Sequence, residues 1–404
     1  MVSGAGTTAD GVAGARDGVA GYGNARLSAG GVDVYPDDRE TAGTEGGLPG
    51  GDCVSVGVYR CDAAERVGGE DCEEFVWAVS AASVGRDGVL ELQVFCGGGV
   101  RILLTGVSGQ VGGELVEILR PLGEVVAPAR DEMDLASAAS VSAMVRAVRP
   151  RWIVNAGAYT AVDKAESEPE LAFAINAEAV GVMGQEAKAI GAGVIHFSTD
   201  YVFGGSAVFD GSASTPYRET DATGPVSVYG ASKLAGEKML AESGVGHLIF
   251  RTSWVYGARG KNFLLTILKL AKEREALRVV DDQHGAPTWS RDLARMTAEV
   301  IGQCEAEARS RELPDVLGDV GGVYHAAGAG ETTWYGFAAE SVRLQREIEL
   351  SARFARIEAI TTAEYPTAAR RPENSRMNCD KLMRQFGWKM MDWQDSLRKV
   401  LAEI

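Results

Sequence analysis

The feature that most limits the possible folds is a glycine-rich turn between an apolar segment and an amphipathic one. Residues 100–105 form a short apolar run of the kind found in buried parallel strands. Gly106, Gly109 and Gly112 follow directly and open a segment whose apolar residues recur at helical spacing. Small residues at this spacing let the backbone turn tightly and approach a pyrophosphate at a helix N-terminus. The sequence therefore predicts a phosphate-binding turn, and the alternative is a tight strand–helix turn that binds nothing.

Strand-like and helix-like segments alternate from residue 100 onward. Alternation of this kind implies a parallel sheet covered by helices on both faces, so we expect an α/β fold with a Rossmann-like, doubly wound sheet. Helices over 289–301, 334–346 and 393–401 are expected to build a smaller C-terminal substrate-binding lobe. The predicted strands are residues 100–105, 124–128, 151–155, 193–198 and 247–251, and the predicted helices between them follow the glycine turn and cover 140–148 and about 170–190.

The chain divides near residue 100 into an N-terminal extension, 1–99, and a main domain, 100–404. Residues 1–52 are rich in glycine and poor in large apolar side chains, so we expect them to be disordered. Short apolar runs within 53–98 are compatible with a hairpin or a small strand addition. Within the main domain, we expect a nucleotide-binding core over about 100–260 and the smaller lobe mainly over 261–404.

Composition narrows the classes of function. The formal net charge of -16 disfavours nucleic-acid binding through a broad basic face. No apolar run approaches the ~20 residues of a membrane span, and six scattered cysteines match neither a zinc site nor a redox pair. We therefore expect a cytoplasmic protein with reduced thiols and with neither nucleic acid nor membrane as a partner.

The end of the second predicted strand carries Arg130 and Asp131. In dinucleotide-binding sheets a side chain at this place reads the adenosine ribose, and an arginine can pair with a 2′-phosphate. Arg130 thus favours NADPH over NADH as the cofactor. A solvated surface charge is the alternative, and NADH remains open.

Tyr229 and Lys233 form a Tyr-x-x-x-Lys motif. On a helix, residues four apart share a face, so the ammonium of Lys233 is expected near the phenol of Tyr229. A nearby positive charge favours the phenolate and lowers a pKa whose ordinary value is about 10. Such a tyrosine can protonate a carbonyl oxygen while hydride arrives at the carbon.

The hydroxyl partner of this pair is expected in the segment 198–203. That segment follows a predicted strand, and ligands of open parallel sheets bind at the carboxyl ends of the strands. We expect Thr199 to hydrogen-bond the substrate carbonyl and orient it against Tyr229. Ser198 is more typical of a residue that only caps backbone groups in the turn.

Several longer motifs resemble those of the dTDP-4-dehydrorhamnose reductases, a family of the extended short-chain dehydrogenase/reductase superfamily. They occur in the expected order over residues 100–404 and leave the first 99 residues unexplained. The matching segments are residues 155–166, 198–203, 228–237, 251–256, 280–288, 322–327 and 371–375. Gly157 and Tyr159 depart from the residues common in the family, and the loop after Phe203 is a few residues longer.

The resemblance implies reduction of the C4 ketone of dTDP-4-dehydro-L-rhamnose to dTDP-L-rhamnose in nucleotide-sugar biosynthesis. Tyr229 would be the proton donor, Lys233 its tuner and Thr199 the hydroxyl partner, while Thr199, Asp200 and Trp254 match sugar-contacting positions. The resemblance also suggests a homodimer and, in some members, a magnesium ion, although no ligand cluster in this sequence points to a metal. The positions that match cofactor contacts, beside the Tyr–Lys pair and the glycines, are Gln110, Val111, Asp134, Leu135, Ala158, Tyr159 and Thr160.

Other interpretations of these residues remain open. Trp254 follows an apolar strand and is equally typical of a core tryptophan, and Asp134 could N-cap a helix that begins near Ala136. The pair Asp281 and Asp282 fits a solvated turn better than a metal site. A non-catalytic, NADP-binding regulatory subunit of the same fold is a different class of function, and another nucleotide-sugar reductase or an epimerase would change the reaction.

Overall fold

The structure is a computed structural model that describes residues 100–204 and 215–404, together with three short strands nearer the N-terminus. These strands are β1 (Gly23–Ala25), β2 (Ala78–Val84) and β3 (Leu90–Phe95), and they form an antiparallel sheet in which β3 lies between the other two. The pairing of β2 with β3 agrees with the hairpin expected there. Apart from β1, the expectation of disorder over 1–52 concerns residues outside those described, as does the longer loop after Phe203.

Val100–Ile404 forms a compact unit of its own, built around a parallel sheet. The sheet has six strands in the order β5-β4-β6-β7-β8-β13, and the chain reverses its direction of travel across the sheet between β4 and β6. The strands of this unit are β4 (Val100–Thr105), β5 (Gly123–Val126), β6 (Trp152–Asn155), β7 (Gly193–Thr199), β8 (His247–Thr252), β9 (Val255–Tyr256), β10 (Ala276–Val280), β11 (His284–Gly285), β12 (Thr288–Trp289), β13 (Gly322–His325), β14 (Thr332–Thr333) and β15 (Arg356–Ile360).

Helices cover both faces of the sheet, as expected for a doubly wound fold. Short 3₁₀ turns occur at Arg120–Leu122, Asp200–Val202 and Thr362–Glu364. The helices are α1 (Gln110–Leu119), α2 (Ala138–Val148), α3 (Val162–Ala165), α4 (Pro169–Phe173), α5 (Ala179–Ile190), α6 (Val228–Ser243), α7 (Phe263–Glu273), α8 (Ser290–Glu307), α9 (Leu313–Val320), α10 (Trp334–Ile348), α11 (Asp380–Phe386) and α12 (Trp393–Leu401).

Side chains of each strand alternate between two hydrophobic clusters, one on each face of the sheet. Ile102 and Leu104 of β4 pack with α1, α8, α9 and α11, whereas Leu103 packs with α2, α5 and α6. Strands that are buried on both faces have continuous apolar sequences, which is why these strands could be predicted from the sequence. The expected α/β fold with a Rossmann-like sheet is confirmed.

Residues beyond 260 are divided between the sheet and a smaller lobe. β13 completes the sheet and α8, α9 and α11 cover one of its faces, whereas α7, α10 and α12 pack on further clusters beside the pairs β10–β15 and β12–β9. The helix expected over about 170–190 is interrupted, because α4 runs into a π-helical turn at Ala174–Glu178 before α5 begins. That turn approaches α6 closely, since a Cβ at Gly236 would lie 2.0 Å from the carbonyl oxygen of Asn176.

Candidate active site

The glycine turn lies where β4 meets α1, at the reversal point of the sheet. Gly106 has a φ of +73°, and a Cβ there would lie 2.5 Å from the carbonyl carbon of Ala156. A Cβ at Gly112 would lie 2.1 Å from the carbonyl oxygen of Gly106. Both positions therefore need glycine for the turn itself, whatever binds there.

The N-terminus of α1 offers free donors to a ligand. Gly109 is the N-cap residue and supplies no side-chain cap, so the first backbone N–H groups of the helix point outward unpaired by a side chain. Such a terminus favours an anion. Gln110 donates from Nε2 to the carbonyl oxygen of Val255 at 3.1 Å, while its Oε1 is buried without a hydrogen-bond partner among the described residues. Val111 packs against the core. The N–H donors of this helix terminus fit the pyrophosphate of a dinucleotide.

The loop after β6 faces the glycine turn from the other side of the reversal point. Ala158, Tyr159 and Thr160 lie in this loop, and Asn176 holds it in two places: its Oδ1 accepts from the backbone N–H of Tyr159 at 2.8 Å, and its Nδ2 donates to the carbonyl oxygen of Tyr159 at 3.0 Å. The hydroxyl of Tyr159 donates to Glu168 at 2.7 Å. The loop is therefore fixed in position before any cofactor binds.

The remaining cofactor candidates lie in the segment after β5. Arg130 and Asp134 are exposed, and Leu135 reaches toward the loop after β6, where its Cδ1 would lie 2.5 Å from a Cβ at Gly157. Asp134 accepts from the backbone N–H of Ala136 at 3.0 Å. The N-cap of α2 is Ser137, not Asp134, because the helix begins at Ala138 and not near Ala136.

Tyr229 lies in the first turn of α6, which Ser227 caps through the backbone N–H of Gly230. Its ring meets that of Tyr201 edge-on at a centroid distance of 5.4 Å. Burial raises the pKa of Tyr229 to about 12, and the neighbouring Thr199 hydroxyl opposes that rise. The expected lowering of this pKa is therefore wrong, since burial outweighs the other effects.

Lys233 lies one helical turn further along α6 and is almost completely buried. Its Nζ donates to the carbonyl oxygen of Phe197 at 2.7 Å and lies 3.1 Å from Nε2 of His196. Burial lowers the pKa of Lys233 to about 7, against the effect of Glu237. Tyr229 and Lys233 share a helix face, and Nζ of Lys233 hydrogen-bonds β7.

Thr199 and Asp200 lie at the carboxyl end of β7. The hydroxyl of Thr199 donates to Oδ1 of Asp200 at 3.0 Å and accepts from the backbone N–H of Tyr201 at 3.2 Å. Burial raises the pKa of Asp200 to about 6, although the neighbouring hydroxyls of Ser375 and Thr199 oppose the rise. Oδ2 of Asp200 is buried without a hydrogen-bond partner among the described residues. A buried acceptor of this kind is available to a ligand hydroxyl.

Ser198 faces away from this group and belongs to a buried ion pair. Its hydroxyl donates to Glu237 at 2.5 Å, and Arg251 contacts both carboxylate oxygens of Glu237 at 2.9 and 2.7 Å. Both charged side chains are 5% exposed. Ser198 therefore has a structural role, although its partner is the Glu237 side chain and not a backbone group.

Trp254 is half-buried in a left-handed backbone conformation with a φ of +48°, which is uncommon for a residue with a Cβ. Its ring stacks on that of Trp334 at 3.7 Å and lies against Gly285, where a Cβ would come 2.6 Å from the indole. Strained backbone of this kind persists where the surroundings enforce it and is frequent at binding sites. Trp254 is thus held against Trp334 and Gly285 and not inside the main core.

The described residues contain no group of three or more His, Cys, Asp and Glu side chains that could hold a metal ion. Asp281 accepts from the hydroxyl of Thr333 at 2.6 Å, and Asp282 accepts from Thr362 in the same way. Both aspartates therefore stabilise turns, as expected. No helix in the described ranges has the length and apolar character to cross a membrane.

Sequence reasoning missed three residues that support the site. Asn155 and His196 lie in segments that the sequence analysis assigned to strands, and Glu237 lies one turn beyond Lys233 on α6. A polar residue inside an otherwise apolar, buried strand was the available signal, since such a group must find a hydrogen-bond partner.

The site joins the N-terminus of α1 to a phenol, a threonine hydroxyl and a buried amine, all near the carboxyl ends of β4 and β7. This arrangement suits transfer of a hydride from a nicotinamide with protonation of the acceptor oxygen by the phenol. Together with the doubly wound sheet, it defines an oxidoreductase of the short-chain dehydrogenase/reductase type.

Comparison with known proteins identifies the family. Residues 100–404 match the family model described as "RmlD substrate binding domain". A dTDP-4-dehydrorhamnose reductase of Burkholderia thailandensis is 47% identical over 297 residues, which are 73% of this chain and 96% of that protein. A reductase of the same name from Escherichia coli is 46% identical over 309 residues, covering 76% of this chain and 98% of that one. The chain belongs to the dTDP-4-dehydrorhamnose reductase family.

Solved structures agree with this assignment. A crystal structure of a dTDP-4-dehydrorhamnose reductase from Clostridium acetobutylicum has a TM-score of 0.65 and 33% identity and covers 75% of this chain and 99% of its own. A crystal structure of the reductase of the same name from Bacillus anthracis, in complex with NADP, has a TM-score of 0.65 and 31% identity. It covers 76% of this chain and 100% of its own. Matches below 25% identity include NAD complexes and show the shared fold alone.

Proposed function

We propose that this protein reduces the C4 ketone of dTDP-4-dehydro-L-rhamnose to the alcohol of dTDP-L-rhamnose, with NADPH as the hydride donor. The supporting observation is that the Thr199 hydroxyl, at the carboxyl end of β7, lies close enough to the Tyr229 phenol to affect its pKa. The names of the most similar relatives support the same substrate.

The chemistry adds two hydrogens to the ketone. A bound nicotinamide in its reduced form supplies hydride to the carbonyl carbon. Tyr229 gives its phenolic proton to the carbonyl oxygen, so the C=O bond becomes an alcohol and the tyrosine is left as phenolate. A pKa of about 12 keeps Tyr229 protonated at neutral pH, which is the state that a proton donor needs. The hydroxyl of Thr199 orients the carbonyl and can donate to the phenolate once it forms.

The cofactor would be held along the glycine turn and the two loops that face it. Gly109 and the N-terminus of α1 would receive the pyrophosphate, with Gln110 and Val111 beside it. Asp134, Leu135, Ala158, Tyr159 and Thr160 would line the adenosine side and the central part of the cofactor. Arg130 is exposed at the end of this row, where a guanidinium can bind the 2′-phosphate that distinguishes NADPH from NADH.

The sugar would lie between the end of β7 and the tryptophan stack. Asp200 presents a buried carboxylate oxygen without a partner in the described part of the chain, which suits a sugar hydroxyl. Trp254 presents an aromatic face supported by Trp334. Together with Thr199 these residues would fix the ketone against Tyr229.

The test is cofactor oxidation by the purified full-length protein, with NADPH and dTDP-4-dehydro-L-rhamnose. We expect one NADPH to be oxidised for each molecule of dTDP-L-rhamnose that mass spectrometry detects. Tight NADPH binding without oxidation would instead identify a non-catalytic regulatory subunit. Sugar conversion without net oxidation would identify an epimerase, since an epimerase returns its hydride to the product.

A further inference from the structure

A row of buried polar side chains runs beneath the glycine turn and ends on Lys233. Thr105, Asn155 and His196 are neighbours in register across β4, β6 and β7, and their exposed fractions are 3%, 1% and 0%. The hydroxyl of Thr105 donates to Oδ1 of Asn155 at 2.6 Å, and Nδ2 of Asn155 lies 3.0 Å from Nδ1 of His196. His196 Nε2 lies 3.1 Å from Nζ of Lys233, so the row is continuous from the turn to α6.

The orientation of the Asn155 amide is fixed by a backbone group. The N–H of Gly157 donates to Oδ1 of Asn155 at 3.2 Å and to the hydroxyl oxygen of Thr105 at 3.1 Å. A backbone N–H can only donate, so the amide oxygen of Asn155 must face it. The amide nitrogen therefore faces His196, because reversing the amide would bring two donors into contact at a fully buried place.

This orientation selects one tautomer of His196. The amide nitrogen of Asn155 can only donate, so Nδ1 of His196 must accept. A neutral imidazole carries a single N–H, which must then be on Nε2, the atom that faces Lys233. His196 remains neutral because its complete burial lowers its pKa well below the usual value.

The tautomer in turn selects a protonation state of Lys233. An ammonium has donors only, whereas a neutral amine has a lone pair that can accept the Nε2–H of His196. The amine still donates to the carbonyl oxygen of Phe197 at 2.7 Å. The hydrogen-bond row thus favours the neutral amine, in the same direction as the burial that lowers the pKa of Lys233 to about 7.

We propose that His196 is a positioning residue that holds Lys233 with its lone pair toward the imidazole, so that the Asn155 amide determines which protonation state of Lys233 is favoured. The inference rests on the proposed reduction, in which Lys233 would act on Tyr229 in its ammonium form, as the family resemblance implies. It adds two residues, His196 and Asn155, that act through Lys233 without contacting the substrate.

The other charged groups near Lys233 are already paired. Glu237, on the same helix, favours the ammonium, but its carboxylate is bound by Arg251 of β8 and by Ser198 of β7. His247, at the start of β8, disfavours a charge on His196. Tyr229 lies on the same helix face and is protonated at neutral pH. The hydrogen bond between His196 and Lys233 can therefore run in either direction, and the Asn155 amide determines which of the two groups donates.

The decisive measurement is the tautomer of His196 by ¹⁵N NMR of the full-length protein labelled at histidine. The chain has 4 histidines, so the signals can be assigned by single substitutions. We expect a neutral His196 with its proton on Nε2 throughout the range in which the protein is folded. In Asn155→Asp, a carboxylate faces Nδ1 in place of the amide nitrogen, so we expect the proton to move to Nδ1. A neutral Nδ1–H tautomer or an imidazolium in the wild-type protein overturns the proposal, whatever the variants do.

The consequence for Lys233 is measured by the pH profile of kcat/KM. In Asn155→Asp, Nε2 of His196 becomes an acceptor and favours the ammonium, so we expect the alkaline fall in kcat/KM to move up by about one pH unit. The added carboxylate also acts through its charge. To measure this charge effect alone, Asn155→Asp is also made in the His196→Leu background. Between His196→Leu and the double variant Asn155→Asp/His196→Leu, we expect the alkaline fall to move by less than half as much as it does when His196 is present.

Equal shifts in the two backgrounds would overturn the proposal, because charge alone would then explain them. Failure of the proposed function is a separate result. Lys233→Met with wild-type turnover would remove Lys233 from the reaction, yet the tautomer of His196 would still be read by NMR.

Discussion

Two layers of polar side chains lie at the carboxyl ends of the parallel strands, and they differ in how completely the protein satisfies them. In the inner layer, Thr105, Asn155, His196 and Lys233 bond one another in sequence, each nearly inaccessible to solvent. In the outer layer, Oδ2 of Asp200 and Oγ1 of Thr252 are buried but have no hydrogen-bond partner among the described residues.

The difference indicates which layer the protein completes by itself. A buried polar atom without a partner costs about 1–3 kcal/mol, and a ligand that supplies the partner removes that cost. The inner layer needs no ligand and fixes the lysine and the turn, whereas under the proposed function the outer layer would bind the sugar. Substitutions in the inner layer should therefore cost stability, and those in the outer layer should cost turnover.

The largest effect is expected for the ion pair beside the inner layer. Glu237→Gln removes the negative charge that pairs with the buried Arg251. Because the guanidinium is then left buried without a counter-charge, we expect a loss of about 3 kcal/mol in the free energy of unfolding. The matched control is Glu124→Gln, which alters the exposed pair with Arg101 and should change stability by less than about 0.5 kcal/mol. Urea unfolding measures both, and equal effects would contradict the ranking.

Asp200 should make stability depend on pH in the outer layer. Its pKa is raised from 3.8 to about 6, so the folded protein binds the proton more tightly than the unfolded chain does. Stability from this group is present below pH 4 and is lost as the pH rises through about 6, by up to about 3 kcal/mol. We expect Asp200→Asn to gain stability relative to wild type over that window, in urea unfolding at several pH values. A constant difference would show that Asp200 does not titrate there.

Tyr229→Phe separates the layers by turnover. Removal of the proton donor should lower turnover by at least ~10²-fold, with little change in unfolding by urea. Tyr201→Phe removes the same atom from the ring 5.4 Å away and should lower turnover by less than about tenfold. Near-wild-type turnover in Tyr229→Phe would rule out the assignment of the acid.

The smallest contrast is between two glycines of the same turn. Gly112→Ala places a Cβ 2.1 Å from a backbone oxygen and should destabilise the protein by about 1–3 kcal/mol. Gly109→Ala meets its nearest atom at 3.1 Å, so the protein should tolerate it while NADPH binding weakens by about tenfold. Calorimetric titration with NADPH and urea unfolding distinguish the two. Unchanged binding in Gly109→Ala would place the phosphates elsewhere.

Local sequence patterns were sufficient wherever a residue's role depends on its neighbours along the chain. The buried strands β4, β6, β7 and β8 were predicted within about a residue because parallel strands read as apolar runs. The glycine spacing predicted the turn, since a missing Cβ is a property of the residue alone. β13 was not predicted. It is only four residues long, and Val323 and Tyr324 are its only two large apolar residues, which is too few to show a strand pattern.

By itself, the sequence determined the α/β class, the glycine turn and the placing of Tyr229 and Lys233 on one helix face, since all three follow from short-range spacing. Only the tertiary structure decided that Lys233 bonds Phe197 and His196, and that burial raises the pKa of Tyr229 instead of lowering it. Solvent exclusion and the direction of a buried hydrogen bond depend on groups brought together from distant parts of the chain. Neither property can therefore be predicted from a local sequence pattern.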